Sequence, residues 1–386
     1  MDSLVLERDM LDWRHHLHAY PETGFNERQT SEFVAGTLAS LGLEVARGIG
    51  GTGVVGTLRR GSGERSLGFR ADMDALAIQE ASGHPYASRH PGQMHACGHD
   101  GHMAMLLGAA SLLAEAEDLD GTVHFVFQPA EEHGRGAKAM IADGLFTRFP
   151  MDEIYGVHSM PGIAAGRFET RPGGIMASED NFVIRIQGRG AHAARPHMGI
   201  DPIVVASEIV LALQSIVARN VDPTEHAVVS VTEFITDGTR NVTPGSVVLK
   251  GDTRSYNTVI QSLLQERMAA LVSGICAAHG ARQEFEYSYE FEPTINTPLC
   301  VATAVQAARA VAGPDNVDGH CPPMLASEDF GAFLQVVPGN YMFIGSGTLG
   351  EAGGTPLHSP LFDFNDSLLL PGARYFATIA QLQLRR

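Results

Sequence analysis

The sequence predicts an α/β fold in which one α/β sheet domain is interrupted by a second, ferredoxin-like (βαββαβ) domain. Three observations predict this fold. The 386 residues exceed one typical domain. Strand and helix patterns alternate in the first part of the chain, and the pattern changes near Ala177 before it returns after Pro293. We therefore predict one domain from residues 1–176 and 294–386, and an inserted domain from residues 177–293.

The first part of the chain alternates amphipathic helices with short apolar strands, as expected for a sheet covered on both faces. Pro21, Gly24 and Gly42 end the first two helices. The predicted helices are Leu4–Ala19, Glu27–Leu41 and a segment through Met103–Ala116. The predicted strands are Gly53–Leu58, Ser66–Arg70, Thr122–Phe127 and Glu153–Val157.

The inserted domain follows the order βαββαβ, which predicts a four-stranded antiparallel sheet with two helices on one face. Its predicted elements are strand Asn181–Ile186, helix Asp201–Arg219, strands Val228–Phe234 and Ser246–Arg254, helix Val259–His279 and strand Gln283–Tyr289. The α/β pattern then resumes with helix Leu299–Val311, the segment Ser327–Leu334, strand Tyr341–Ile344 and a helix near Asp366–Leu384.

Composition excludes several classes of protein. With 44% hydrophobic and 18% charged residues the chain can bury a full core, so it is not a disordered protein. The net charge of −17 and the absence of a Lys/Arg stripe argue against a nucleic-acid partner. No run of 18 apolar residues indicates a membrane span. Residues 1–14 lack the pattern of a signal peptide. Four scattered cysteines favour a reduced, cytoplasmic setting.

The segment Met94–His102 contains a thiol, three imidazoles and a carboxylate around two glycines, just ahead of a predicted helix. A helix N-terminus lowers the pKa of a thiol, which keeps a thiolate available to a metal ion. Cys97 and His99 are two residues apart, so both side chains can face one site. A single Cys-Gly-His sequence is weak evidence, and an ordinary turn remains an alternative.

Two adjacent carboxylates, Glu131 and Glu132, follow the predicted strand that ends at Phe127. Ligands of open α/β sheets bind at the carboxyl ends of strands. Because neighbouring side chains point in different directions, one carboxylate can bind a metal while the other acts as a general base. Taken alone, the pair is also compatible with two solvated glutamates in a loop.

Two isolated histidines lie in similar positions. His158 directly follows the strand Glu153–Val157, and His358 lies in a proline-bounded loop. Alone, each is typical of a surface or core histidine. Five candidate donors therefore lie on loops after strands: Cys97, His99, Glu132, His158 and His358. Five is more than the four ligands of a closed tetrahedral site, and it suits a site for two metal ions that keeps positions open for water and substrate.

A further histidine, His192, lies in the glycine-rich turn Gly188–His197 of the inserted domain. Such a turn can present a donor to a site on another domain. The alternative is an ordinary connection between a strand and a helix.

These motifs resemble the bacterial and plant aminoacylase-type amidohydrolases, which include hippurate hydrolase, N-acetyl-diaminopimelate deacetylase and the auxin–amino acid conjugate hydrolases. The resemblance covers nearly the whole chain. The matching segments are Leu17–Phe25, Phe69–Leu76, Met94–His102, Gln128–Gly134, Gly156–His158, the His192 turn, Asn241–Pro244, Ser327–Phe330 and His358–Pro360.

The resemblance implies a role for each candidate residue. It implies that Cys97 bridges two metal ions, with His99 and His158 on one ion and Glu132 and His358 on the other. The remaining roles are Glu131 as general base, Asp74 as a supporting carboxylate near the metals, His192 as the group that stabilises the oxyanion across a homodimer, and Asn241 and Arg254 as substrate-binding residues. The sequence departs from the pattern of this family at Ala77, Ala191 and Thr243. These departures affect the shape of the pocket rather than the metal chemistry.

The function implied is hydrolysis of the amide bond of an N-acyl amino acid, with an N-acetyl, N-benzoyl or similar acyl group. Thiolate and imidazole ligands suit Zn, Ni or Co, and the carboxylates also allow Mn. Two alternatives use the same two-metal site, a dipeptidase and a hydrolytic deaminase. A member that binds ligands without catalysis is a third alternative, which the presence of Glu131 disfavours. The implied homodimer forms through the inserted domain.

Overall fold

The computed structural model describes residues 3–385, so the predicted outer limits of the first domain, residues 1 and 386, lie outside the described residues. The chain divides into two compact units. Unit 1 comprises Met1–Ile175, Ile295–Pro323 and Asp329–Arg386, and unit 2 comprises Met176–Thr294 and Met324–Glu328. The short segment Met324–Glu328 thus belongs to unit 2, whereas the sequence prediction had placed it in the first domain.

The helices and strands are as follows. The α-helices are α1 Ser3–Ala19, α2 Arg28–Ser40, α3 His99–Ala114, α4 Gly136–Ala142, α5 Leu145–Arg148, α6 Pro202–Arg219, α7 Thr258–His279, α8 Pro298–Ala312, α9 Phe330–Leu334 and α10 Leu369–Leu384. The strands are β1 Glu44–Ile49, β2 Gly53–Arg60, β3 Ser66–Asp72, β4 Gly121–Gln128, β5 Glu153–Pro161, β6 Phe168–Glu169, β7 Gly173–Met176, β8 Glu179–Gln187, β9 Ala191–His192, β10 Ala227–Thr236, β11 Val242–Thr243, β12 Ser246–Ser255, β13 Arg282–Phe291, β14 Thr294–Asn296, β15 Val317–Asp318 and β16 Gly339–Gly347.

Unit 1 is built on an eight-stranded mixed sheet with the order β1-β2-β4-β3-β5-β16-β6-β15. Its central strands β4 and β16 are buried along their whole length, because both faces of the sheet are covered. Helix α3, which is almost entirely buried, packs against α1 and α10. The predicted α/β sheet domain is confirmed.

Several elements of unit 1 differ from the prediction, among them β1 and β5. Strand β1 was not predicted, because Glu44–Ile49 has no regular alternation of apolar and polar residues. Strand β5 continues to Pro161, so His158 lies within the strand and not after it. The extension is paired in parallel with β16, where His158 lies opposite Phe343.

Unit 2 contains the predicted order of elements, β8-α6-β10-β12-α7-β13. The four strands form an antiparallel sheet with the order β10-β12-β8-β13, so the ferredoxin-like fold is confirmed. Apolar residues alternate with exposed ones along β8, because one face of the sheet packs against α6 and α7. The unit has its own hydrophobic core, separate from that of unit 1.

Helix α6 is unusually apolar for a surface helix. Among the described residues it is the one helix whose length and mean hydropathy, 1.6, would allow it to cross a membrane. One side of α6, with Ile209 and Leu213, is buried in the core of unit 2, whereas Val204 and Leu211 are exposed. This burial is typical of a helix that packs on a sheet and leaves an apolar outer surface.

Candidate metal centre

Cys97 and His99 are brought to one point by the turn that begins α3. Gly98, between them, has a φ of 90°, a left-handed conformation that glycine adopts without steric cost. A Cβ atom at Gly98 would lie 2.6 Å from Oγ of Ser159, so a larger residue does not fit. The turn leaves both flanking side chains buried and directed to the same group of donors.

Cys97 belongs to two groups of residues whose donor atoms are close enough to hold a metal ion. The donor atoms of Cys97, His99 and His158 lie within 4.8 Å of one another, and so do those of Cys97, Glu132 and His358. Sγ of Cys97 is 3.4 Å from Nε2 of His158, and Nε2 of His358 is 3.5 Å from Oε1 of Glu132. A donor shared by two three-residue groups is the arrangement expected for two adjacent cations with a common ligand.

The buried imidazoles are oriented by backbone carbonyls. Nδ1 of His99 lies 2.8 Å from the carbonyl oxygen of Asp74, and Nδ1 of His158 lies 2.7 Å from that of Ser159. Bonds of this kind leave Nε2 of each ring as the atom available to a metal. Nε2 of His99 and Oε1 of Glu132 are buried and have no hydrogen-bond partner. A divalent cation would satisfy both atoms, so the residues present fit a metal site.

The prediction that the helix N-terminus lowers the pKa of the Cys97 thiol is wrong for the protein without a bound cation. Burial raises the pKa of the Cys97 thiol well above its usual value, and the carboxylate of Glu132 raises it further, because both disfavour a second negative charge. A coordinated cation reverses this balance, since it deprotonates a thiol that binds it. Binding of metal is therefore expected to release a proton from Cys97.

The pKa values of His158 and His358 are shifted in opposite directions. Burial lowers the pKa of His158 well below its usual value, and the neighbouring His102 lowers it further. His158 is therefore neutral, which is the form that binds metals. The contact with Glu132 raises the pKa of His358, and His358 is half exposed. A raised pKa opposes metal binding by His358, because only the neutral imidazole is a ligand.

Asp74 holds the two adjacent glutamates by their backbone. Its Oδ1 accepts a hydrogen bond from the amide of Glu131 at 3.0 Å, and its Oδ2 accepts one from the amide of Glu132 at 3.1 Å. A carboxylate oxygen of Glu131 lies within 4.8 Å of the donor atoms of His99 and Glu132. Asp74 thus fixes both carboxylates beside the candidate ligands without binding the cations itself.

The residue before this pair has a strained backbone. Ala130 has φ 49° and ψ 43°, a left-handed conformation that costs an L-residue about 1–2 kcal/mol. Among the described residues other than glycine, Phe25 and His358 are the only others with a positive φ. Strained residues of this kind cluster at functional sites, where surrounding contacts maintain them.

Asp72 and His102 form a third possible group with His99, which sequence reasoning did not assign. Nδ1 of His102 is 2.8 Å from Oδ1 of Asp72, and its Nε2 accepts a hydrogen bond from the amide of Ser159. Arg70 donates to the other oxygen of Asp72. Because these atoms already have partners, the pair is placed to support the ligands and not to bind a cation. Both residues lay in motifs of the sequence, at Phe69–Leu76 and Met94–His102.

His192 and Asn241 are neighbours in unit 2. His192 lies in the short strand β9, paired with Val242 of β11, whereas the sequence predicted a glycine-rich turn. The amide of Ala193 donates to the carbonyl of Asn241, and Nδ1 of His192 accepts a hydrogen bond from the amide of Ala194. His192 is exposed, and its Nε2 can therefore carry the proton and donate it.

Arg254 lies elsewhere in unit 2, near the end of β12. Its guanidinium contacts two carboxylates, those of Asp252 at 2.7 Å and Glu179 at 3.0 Å. It also donates to Oγ of Ser327 at 2.6 Å, which attaches the segment Met324–Glu328 to the sheet. The structure does not place Arg254 beside His192 and Asn241.

Comparison with known proteins gives a consistent result. Residues 68–382 match the family described as peptidase family M20/M25/M40. The chain is 40% identical to a hippurate hydrolase of Campylobacter jejuni, over 100% of this chain and 99% of the relative. It is 38% identical to an N-acetyl-L-cysteine deacetylase of Bacillus subtilis, over 96% of this chain and 87% of the relative. A crystal structure of the Bacillus subtilis YXEP protein, described as a dinuclear metal binding peptidase from the M20 family, matches with a TM-score of 0.86 and 30% identity, over 98% of this chain and 99% of that chain.

Proposed function

The chain belongs to peptidase family M20/M25/M40, and on that premise we propose which residues carry its reaction and which substrate it prefers. It is a metal-dependent enzyme that hydrolyses the amide bond of N-acyl amino acids and releases a carboxylic acid and an amino acid. The observation that carries the proposal is the sharing of Cys97 between two groups of donors, with Glu131 directly beside them.

We propose that two divalent ions bind, with Cys97 as their common ligand. His99 and His158 complete one site, and Glu132 and His358 complete the other, as the two groups of donor atoms suggest. When bound, the ions would supply Lewis acidity, which would polarise a substrate carbonyl and make a water molecule easier to deprotonate. The mixed thiolate, imidazole and carboxylate set is compatible with Zn, Ni, Co or Mn.

Glu131 is proposed as the general base. It lies within reach of the donors, and its backbone is held by Asp74, so its carboxylate can accept a proton from the attacking water. The same carboxylate then passes that proton to the nitrogen of the leaving amine. A positioned base of this kind typically contributes about 10²–10⁴-fold in rate.

His192 is proposed to donate a hydrogen bond to the oxyanion, in the active site of a second copy of the chain. The geometry of unit 2 supports a site made from two copies. Asn241 precedes the Ser246 end of β12, and Arg254 lies near the other end. Ser246 and Arg254 are eight residues apart on this strand, which is a distance of about 26 Å. A substrate of dipeptide size spans only about 7 Å. One such substrate is therefore too short to contact both Asn241 and Arg254 of the same chain.

The surface of unit 2 offers an interface for this homodimer. β10 is an edge strand of the four-stranded sheet, and Phe234 and Ile235 on it are exposed. Val204 and Leu211 of the neighbouring α6 are exposed as well. Exposed apolar side chains beside the free edge of a strand are suited to symmetric pairing with a second copy.

N-benzoylglycine is proposed as the preferred substrate, because the relative named hippurate hydrolase matches over the full length of this chain. The test is a panel assay of the purified protein reconstituted with Mn, Zn, Ni or Co. We expect the highest kcat/KM on N-benzoylglycine, a lower value on N-acetyl amino acids, and little turnover of dipeptides or anilines. Higher kcat/KM on dipeptides than on any N-acyl amino acid would overturn the proposal in favour of a dipeptidase, and higher kcat/KM on anilines would overturn it in favour of a hydrolytic deaminase.

A further inference from the structure

The turn that carries Glu131 and Glu132 is held through three successive backbone amides. The amide of Ala130 donates to Oε1 of Glu27 at 2.9 Å, and the next two amides donate to the carboxylate of Asp74. Asp74 lies two residues beyond the end of the adjacent strand β3, whereas Glu27 comes from a distant part of the chain, just before α2. Glu27 has no part in the reaction proposed for Glu131 and the metal ligands.

Glu27 is itself firmly placed. Its side chain is completely buried, and its second carboxylate oxygen accepts a hydrogen bond from Oγ1 of Thr52 at 2.6 Å. Its backbone carbonyl accepts a hydrogen bond from the amide of Ser31, so its backbone is tied to the first turn of α2. A buried carboxylate with both oxygens engaged is a rigid partner for the amide of Ala130.

The amide held by Glu27 belongs to the strained residue. Ala130 adopts the left-handed conformation, with φ 49°, which an alanine leaves readily unless neighbouring contacts maintain it. A return to a right-handed or extended backbone at Ala130 would turn the following residue, Glu131, away from its present position. Glu27 holds the peptide plane that precedes the Cα atom of Ala130, and Asp74 holds the plane that follows it, through the amide of Glu131. The relative orientation of these two planes sets φ and ψ of Ala130, so the two hydrogen bonds together maintain the left-handed conformation.

We infer that Glu27 is a positioning residue, which keeps Ala130 left-handed and thereby holds the carboxylate of Glu131 beside the metal ligands. This inference rests on the proposed role of Glu131 as general base. Glu27 acts through Ala130 and does not touch the ligands, so its loss should reduce turnover and leave metal binding intact.

The first test is the variant Glu27→Ala. We expect kcat to fall about 10–100-fold, because a displaced catalytic group costs rate on that scale, with bound metal and KM near the parent values. The matched control is Glu22→Ala. Like Glu27→Ala, it removes a buried carboxylate near α2, but the carboxylate of Glu22 accepts hydrogen bonds from Thr30. The control should leave kcat near that of the parent. Loss of metal from Glu27→Ala, or an equal fall of kcat in both variants, would overturn the inference.

The second test adds Ala130→Gly. Glycine adopts the left-handed conformation without the steric cost, so Ala130→Gly in the Glu27→Ala background should restore kcat about 5–30-fold. A merely structural role for Glu27 would not be corrected by a glycine at another position. A double variant no faster than Glu27→Ala would contradict the inference. If Glu27→Ala does not fold, Thr52→Val removes the second anchor of Glu27, and a fall in kcat that Ala130→Gly reverses is expected there too.

A readout without metal separates this inference from the proposed function. In metal-free protein, hydrogen exchange of the segment 129–134 should be about 10-fold faster in Glu27→Ala than in the parent, and unchanged in Glu22→Ala. Unchanged exchange in Glu27→Ala would overturn the inference whatever the enzyme hydrolyses. A parent protein that hydrolyses no N-acyl amino acid would overturn the proposed function and leave the exchange result to decide on Glu27.

Discussion

Sγ of Cys97 lies 3.4 Å from Nε2 of His158, at the point where two groups of donors share the thiol. Of the other members of the two groups, only His99 is close to Cys97 in the sequence. The remaining donors come from distant parts of the chain, so the fold brings them together. The consequence is a site whose two halves depend on one side chain.

Replacement of that side chain, Cys97→Ser, should remove most of the bound metal and nearly all activity. A serine hydroxyl does not ionise near neutral pH and cannot supply a bridging anion. Metal content by mass spectrometry and turnover of N-benzoylglycine are the measurements. Cys300→Ser is the control, because Cys300 is also buried but belongs to neither group of donors. Full occupancy of both sites in Cys97→Ser would exclude a bridging role.

Asp74→Asn should weaken metal binding about 10–100-fold, as expected when a group that orients the ligands is lost. Both oxygens of Asp74 accept backbone amides, and an asparagine can accept only one of them. Titration of metal-free protein with Co²⁺, followed by its absorption spectrum, measures the affinity. Asp152→Asn is the control, since Asp152 accepts the amide of Ser66 at an exposed position. Equal affinity in Asp74→Asn and Asp152→Asn would show that Asp74 does not position the ligands.

The pH dependence of stability should contain a contribution from Asp180 in unit 2. Burial raises the pKa of Asp180 to about 6, so the protonated form is favoured in the folded state. Its stabilising contribution is complete below the unfolded pKa near 4, declines as the pH rises toward 6, and is absent above that. Asp180→Asn should therefore gain stability relative to the parent as the pH rises from 5 to 7.5, by about 1 kcal/mol or more.

Urea unfolding at several pH values checks this prediction. Asp201→Asn serves as the control, because Asp201 caps α6 and asparagine caps helices equally well. A difference between Asp180→Asn and the parent that does not change with pH would contradict the assignment.

The proposed homodimer predicts complementation between two inactive variants. His192→Ala and Glu131→Gln proteins, dissociated and reassociated together, should regain about a quarter of the parent activity, because half of the dimers are mixed and each has one intact site. Confirmed mixed dimers without activity would show that His192 serves its own chain or has no catalytic role.

The sequence predicted those features that depend on local patterns. Alternation and helical spacing predicted both domains, and the polar segments around Cys97 and Glu131 predicted donors that the structure brings together. Features set by distant contacts were missed. Segment Met324–Glu328 joins unit 2 through the contact of Ser327 with Arg254, and no local pattern signals this contact.

The burial of Cys97 and the conformation of Ala130 were missed for related reasons. A thiol at a helix N-terminus has a lowered pKa only if solvent or cations offset its burial, and the sequence does not give the depth of a site. Alanine is rarely left-handed, so nothing at position 130 predicts that conformation. Glycine at position 98, by contrast, is the residue that such a turn favours.

The central claim is that Glu131 acts as general base while its neighbour Glu132 binds metal. The most direct measurement compares Glu131→Gln with Glu132→Gln for metal content and for turnover of N-benzoylglycine. Glu131→Gln should retain both ions and lose about 10²–10⁴-fold in kcat, and Glu132→Gln should lose metal. A Glu131→Gln protein that binds no metal, beside an active Glu132→Gln protein, would contradict the account.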